Sequence, residues 1–101
     1  MAFVTVARLS ELTVGEGICV GVNDKEIALF LVDGKCYAID EICPHRQAPL
    51  HEGTCIGLEV VCPWHNSTFN LETGEHKNPP AKQGVKAYRV QIVGDEVQVD
   101  L

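Results

Sequence analysis

At 101 residues and 46% hydrophobic content, the chain is long enough for one folded domain and too short for two of ordinary size. A net charge of −6 and a pI near 5.0 argue against nucleic acid, whose phosphates attract Lys and Arg, and favour partners with basic docking patches. No apolar run approaches the ~20 residues of a membrane span, and Arg8, Glu11 and Glu16 interrupt any signal-like segment, so neither membrane nor export is expected.

Thirteen Val and six Ile favour strands over helices. In chain order, Phe3–Arg8 alternates as a half-buried strand, and Ser10-Glu11-Leu12 allows one short turn. Gly17–Val22 is a second strand, turned at Asn23-Asp24 into Glu26–Val32, whose continuous apolar character predicts a fully buried strand. Asp33-Gly34 supplies a two-residue hairpin turn into Lys35–Asp40. Near the C-terminus, Val85–Val93 and Glu96–Leu101 form another hairpin around Gly94-Asp95. No run of ten or more residues keeps helical periodicity. The prediction is an all-β chain of short antiparallel strands, interrupted from about residue 41 to 81 by a stretch rich in Pro and turn residues. Gly53 and Gly74 are expected there at positive-φ turn positions.

That middle stretch holds two mixed ligand pairs, Cys43-Pro44-His45 and Cys62-Pro63-Trp64-His65, with sixteen residues between His45 and Cys62. Two Cys and two His suit tetrahedral zinc, but zinc modules usually group ligands of one kind. One Cys and one His per loop is what a Rieske-type 2Fe–2S centre uses, with two Cys on one iron and two His on the other. A zinc-stabilised interaction module remains the alternative. Pro44 and Pro63 fix φ directly after each Cys.

Cys43-Pro44-His45-Arg46-Gln47-Ala48-Pro49-Leu50 and Cys62-Pro63-Trp64-His65, followed by Phe69-Asn70-Leu71-Glu72-Thr73-Gly74-Glu75, resemble the free-standing Rieske ferredoxins. Those are similar to the ferredoxin components of bacterial aromatic-ring-hydroxylating dioxygenase systems. The resemblance implies a Rieske fold, a β-sandwich-like base from residues 1 to about 40 and 82 to 101 with a cluster-binding subdomain inserted at about 41–81. It implies one 2Fe–2S cluster on Cys43, His45, Cys62 and His65, with the histidine edges facing the redox partner. The implied role is a cytoplasmic one-electron carrier between a flavin-dependent NAD(P)H reductase and a terminal oxygenase, in aromatic hydrocarbon catabolism, and not an enzyme itself. The small subunit of an assimilatory nitrite reductase shares this fold and is a second alternative.

Departures from the respiratory Rieske type are implied as well. Its inter-loop disulfide cysteines correspond to Ala48 and Trp64, and its Tyr hydroxyl to Phe69, while Ser67 matches a Ser that donates toward a bridging sulfide. Asn70 stands where many relatives have Asp, and Asn66 where many have Gly. Pro79-Pro80 resembles a third loop covering the cluster, and Trp64 and Phe69 would form a dry shell. Of the other cysteines, Cys19 and Cys36 read as small buried hydrophobes and Cys55 as a weak third-ligand candidate; free thiols suit a reducing cytoplasm. His51 reads as an exposed loop residue, His76 as a solvated turn and Arg46 as a surface cation beside His45.

Overall fold

The structure, a computed structural model, describes residues 3–22, 24–42, 49–63, 68–76 and 85–100. Ten strands run in order: β1 Phe3–Arg8, β2 Gly17–Val22, β3 Lys25–Val32, β4 Lys35–Asp40, β5 Thr54–Ile56, β6 Glu59–Val61, β7 Thr68–Asn70, β8 Ala87–Tyr88, β9 Val90–Val93 and β10 Glu96–Asp100. They pair antiparallel into three sheets, ordered β1-β10-β9, β2-β3-β4-β8 and β5-β6-β7. Two 3-10 turns, Leu9–Glu11 and Leu50–Glu52, are the helical elements among the described residues. None of the described helices is long and apolar enough to cross a membrane.

The unbroken apolar run of β3 has a direct cause. Successive side chains of a strand point to opposite faces, so burial on both faces requires apolar residues throughout. Ala28, Phe30 and Val32 enter one core with Ile39, Leu50, Val60, Cys62, Phe69 and Leu71. Ile27 and Leu29 enter another with Leu12, Cys36, Ala38, Tyr88, Val97 and Val99. The β2-β3-β4-β8 sheet is therefore a middle layer. The β1-β10-β9 sheet covers one face, and the small β5-β6-β7 sheet covers the other. Burying an aromatic such as Phe30 or Phe69 contributes roughly 1.5–3 kcal/mol, and both anchor the core between the middle sheet and β5-β6-β7.

The hairpins form where turn chemistry places them. Asp33 (φ 51°) and Gly34 (φ 79°) both take positive φ, the type I′ pattern, and Val32 pairs with Lys35. Gly94 (φ 61°) opens the β9–β10 turn, where Val93 pairs with Glu96. Asn23 lies outside the described residues, but Asp24 has φ 64° and Val22 pairs with Lys25, closing the expected β2–β3 hairpin.

Three expectations are corrected. The run Val85–Val93 is two strands: β8 pairs with β4 in the middle sheet, and β9 pairs with β10 in the outer one. Asp40 makes the first pairing, accepting hydrogen bonds from the Tyr88 hydroxyl (2.6 Å) and the Lys86 amide (3.1 Å). The stretch read as turns and ligands contains the β5-β6-β7 sheet, whose strands of three residues each are too short to show periodicity. Finally, Gly53 has an ordinary φ of −74°; glycine is needed there because a Cβ would lie 2.2 Å from the Val61 carbonyl oxygen.

Gly74 meets its expectation, with φ 81°, and a Cβ there would lie 1.9 Å from the carbonyl oxygen of Val85. Its own carbonyl accepts from the Val85 amide at 2.8 Å, so the two segments cannot separate cheaply. Gly74→Ala should cost on the order of 3 kcal/mol, combining left-handed strain with overpacking against backbone. Gly34→Ala meets open space at a similar φ, and should cost only about 1–2 kcal/mol. Urea unfolding of both variants checks the difference; equal losses would remove the close-packing argument.

Candidate metal centre

Of the four expected ligands, Cys62 lies among the described residues, and Cys43, His45 and His65 lie outside them. The frame around both ligand segments is nevertheless defined. Ile42 and Pro49 form an antiparallel bridge, and the Leu50 amide donates to the Glu41 carbonyl at 2.7 Å, so residues 43–48 leave and return at one point. Val61 pairs with Thr68 across β6 and β7, closing residues 62–67 in the same way. The described ends of each segment are thus held together by backbone pairing.

The described ends of the two segments share a core. Leu50, from the turn after the first segment, packs in one cluster with Val60, Cys62, Phe69 and Leu71 around the second. Cys62 is 0% exposed. An isolated thiolate is unstable in such apolar surroundings, whereas a metal-bound one is deprotonated by the metal itself. The donor therefore fits a buried metal of an iron–sulfur cluster. Phe69 is also fully buried and brings no hydroxyl to this core.

Asn70 builds the turn that follows β7. Its Oδ1 accepts from the Glu72 and Thr73 amides at 2.7 and 2.9 Å, a bonding pattern an Asp would reproduce. His76 is exposed, as expected, and bridges Phe69 through backbone. Arg46, Ala48, Trp64, Asn66, Ser67 and Pro79-Pro80 lie outside the described residues.

His51 is not an exposed loop residue. It sits in the Leu50–Glu52 turn, donates its amide to Glu41 Oε1 at 2.9 Å, and holds its ring Nδ1 against Glu41 Oε2. Glu41 is 2% exposed. Its burial had no signal in the sequence, because it follows a strand end and breaks no periodic pattern.

The remaining cysteines divide. Cys36 is buried in the β3–β4 core, and burial pushes its thiol up to about 11. Cys55 is half-buried against the other core, its thiol raised by burial and donating to the Gly57 carbonyl at 3.7 Å. Cys19, expected to be a buried hydrophobe, instead faces carboxylates: burial, then the charges of Glu41 and Glu26, push its thiol up to about 11. None of the three has a histidine two or three residues further on, as both expected ligand cysteines do. The Cys19→Ala, Cys36→Ala, Cys55→Ala triple variant should keep its full cluster absorbance; loss of colour from Cys55→Ala alone would reassign the ligands.

A β-sheet scaffold whose core joins the described ends of two Cys/His-bearing segments is the setting expected for a two-loop metal-cluster protein. The family model for the Rieske [2Fe-2S] domain matches residues 2–89, and the chain belongs to that family. It is 36% identical over 99 residues to the ferredoxin component of the naphthalene 1,2-dioxygenase system of Pseudomonas aeruginosa, covering 98% of this chain and 95% of that one. It superposes on the ferredoxin of carbazole 1,9a-dioxygenase from Nocardioides aromaticivorans IC177 with a TM-score of 0.92, at 32% identity, covering 98% and 97% of the two chains. It also matches a chain of the complex of reduced oxygenase and oxidized ferredoxin in carbazole 1,9a-dioxygenase, with a TM-score of 0.88, 30% identity and 96% and 91% coverage. The cofactor these relationships define is a Rieske 2Fe–2S cluster.

Proposed function

We propose that the chain is the ferredoxin of an aromatic-ring-hydroxylating dioxygenase system, a one-electron carrier rather than an enzyme. The observation that supports this most strongly is the pair of segments whose described ends share a core around buried Cys62, in a chain matching dioxygenase ferredoxins over nearly its whole length. In this reading, Cys43 and Cys62 hold the inner iron as thiolates, and His45 and His65 hold the outer iron as neutral imidazoles. Each imidazole keeps its second N–H for contact with the redox partner. The cluster supplies reversible one-electron chemistry when bound.

The protein parts have separate tasks. Residues of about 41–81 form the cluster-binding subdomain, and about 1–40 with 82–101 form the base that holds it. The sheets agree with that division: β1–β4 and β8–β10 build two of them, and β5–β7 build the third. Leu50, Phe69 and Leu71 exclude water from the inner iron's side. The net charge of −6 suits electrostatic docking to basic patches on both partners. Those partners are a flavin-dependent NAD(P)H reductase, which supplies the electron, and a terminal oxygenase, which receives it. Three cysteines beyond the two expected ligands, read as free thiols, favour a cytoplasmic location.

Reconstitution tests this reading. The holoprotein, mixed with a flavin reductase of a ring-hydroxylating system and NAD(P)H, should lose its oxidised-cluster absorbance. Adding the oxygenase and an aromatic substrate should restore the colour and give hydroxylated product. A cluster that the reductase cannot reduce, or that stays reduced before the oxygenase, would overturn the assignment.

A further inference from the structure

Outside the cluster loops, three potential ligands from three separate elements converge. Cys19 comes from β2, Glu41 from the residue after β4, and His51 from the 3-10 turn Leu50–Glu52. One ligand atom from each lies within 4.8 Å of the others. The convergence is built into the backbone. A Cβ on Gly17 of β2 would lie 2.7 Å from the His51 carbonyl oxygen, so glycine there lets the turn press against the strand. Glu41 in turn is fixed by its amide, which donates to the Glu26 carbonyl at 3.1 Å, and by the His51 amide on its carboxylate.

The charge at this place is unbalanced. Glu26 Oε2 lies 3.9 Å from the Cys19 sulfur, and Glu52 Oε2 lies 3.9 Å from His51 Nε2. Three carboxylates therefore surround one histidine and one thiol, and among the described residues no Lys or Arg pairs with any of them. Glu41 is nearly completely buried, and a buried carboxylate requires a paired cation or a coordinated metal. Hydrogen bonds from His51 face both its oxygens but bring no fixed positive charge. A divalent ion would meet that need outright, and would also hold Cys19 as a thiolate.

We propose that Cys19, Glu41 and His51 form a second metal site, distinct from the iron–sulfur centre, for a zinc-class divalent ion. The mixed sulfur, nitrogen and oxygen donors exclude Mg²⁺ and Ca²⁺, which take oxygen ligands, and suit zinc. Bond lengths of about 2.0–2.3 Å around a tetrahedral ion put ligand atoms roughly 3.5 Å apart, so the ion would enter between His51 Nδ1 and Glu41 Oε2, now in direct contact, and draw in the Cys19 sulfur. Glu26 stands 3.9 Å from the sulfur, beside the three-ligand group rather than within it. With one histidine, the site differs from the two-histidine facial triad of oxygen-activating iron, so its role is structural. The ion ties the edge strand β2 to the turn that ends the first ligand segment. This site does not depend on the electron-carrier reading.

The experiment uses the holoprotein, with zinc chloride as the probe and iron and cluster absorbance followed throughout. Equilibrium dialysis should show one zinc per chain with iron content unchanged. Zinc K-edge absorption should show a single sulfur at about 2.3 Å with nitrogen and oxygen at about 2.0–2.2 Å. Two sulfurs with iron release would mean displacement of the cluster, and no sulfur would mean binding at exposed imidazoles; either result overturns the proposal. Cys19→Ser and His51→Gln should each weaken zinc binding by more than the roughly 10–100-fold expected for loss of an outer-shell partner, while Cys55→Ser leaves it unchanged. The K-edge readout needs no variant, so it stands even where a substitution impairs folding. Absence of stoichiometric zinc in the wild type would also overturn the site.

Discussion

Cys62→Ser should yield a protein without visible colour, and wild type purified alongside it should carry about two irons and two sulfides per chain. The loss should be complete rather than graded. Cys62 has no exposed surface, and its neighbours Leu50, Val60, Phe69 and Leu71 offer no substitute donor. A serine hydroxyl there is neutral and hard, so it does not hold iron as a thiolate does. The same substitution should lower stability, because cluster binding free energy is also folding free energy for the two segments it joins. His65→Cys tests the other end of the centre: it should shift the spectrum toward that of an all-cysteine cluster or abolish it. Iron and labile-sulfide analysis with visible absorption reads both variants. A colourless wild type with one stoichiometric zinc at these four ligands would replace the iron–sulfur assignment.

Different parts of this molecule were legible for different physical reasons. The strands β1, β2, β3 and β4 lie within a residue of where alternation and apolar runs place them, because each is long enough for a period of two to repeat. Two-residue turns at Asp33-Gly34 and Gly94-Asp95 fixed the register of their hairpins, since the turn type dictates it. The sheet β5-β6-β7 was hidden by its length. A strand of three residues shows no period, and its apolar residues Val60 and Phe69 sat beside ligands that drew the reading toward loops. The switch between β8 and β9 was hidden because the chain stays extended while its partner changes. At the proposed cluster site, the two Cys/His pairs stand out because each brings its donors close in sequence. The Cys19, Glu41 and His51 group does not, since three distant positions meet only after β2 and the Leu50–Glu52 turn have packed. Nothing in the local sequence of Glu41 distinguishes a buried carboxylate from a solvated one.

The reduction potential should lie near the low end of the Rieske range, at roughly −150 mV. Potential follows the relative stabilisation of the two redox states, and hydrogen bonds to the sulfurs favour the reduced one. The hydroxyl that respiratory relatives place near a ligand sulfur corresponds to Phe69, which is fully buried in an apolar core and has no donor to offer. The positions of their disulfide hold Ala48 and Trp64, so that bridge is absent too. Low potential matters for delivery of the electron. Each ~59 mV of mismatch in a one-electron step changes the equilibrium constant tenfold, so a carrier near +300 mV would be several decades uphill from a low-potential acceptor. Ser67 is the residue that should work in the opposite direction. If its hydroxyl reaches a bridging sulfide, as in the high-potential class, Ser67→Ala should lower the potential by tens of millivolts, on the order of one hydrogen bond's differential effect on the two states. Protein-film voltammetry on both proteins measures the two quantities together. An unchanged potential in Ser67→Ala would place that hydroxyl away from the cluster and leave the low value to Phe69 and the missing bridge. A wild-type potential well above zero would be incompatible with reduction of a dioxygenase centre, and would fit a quinol-oxidising partner instead.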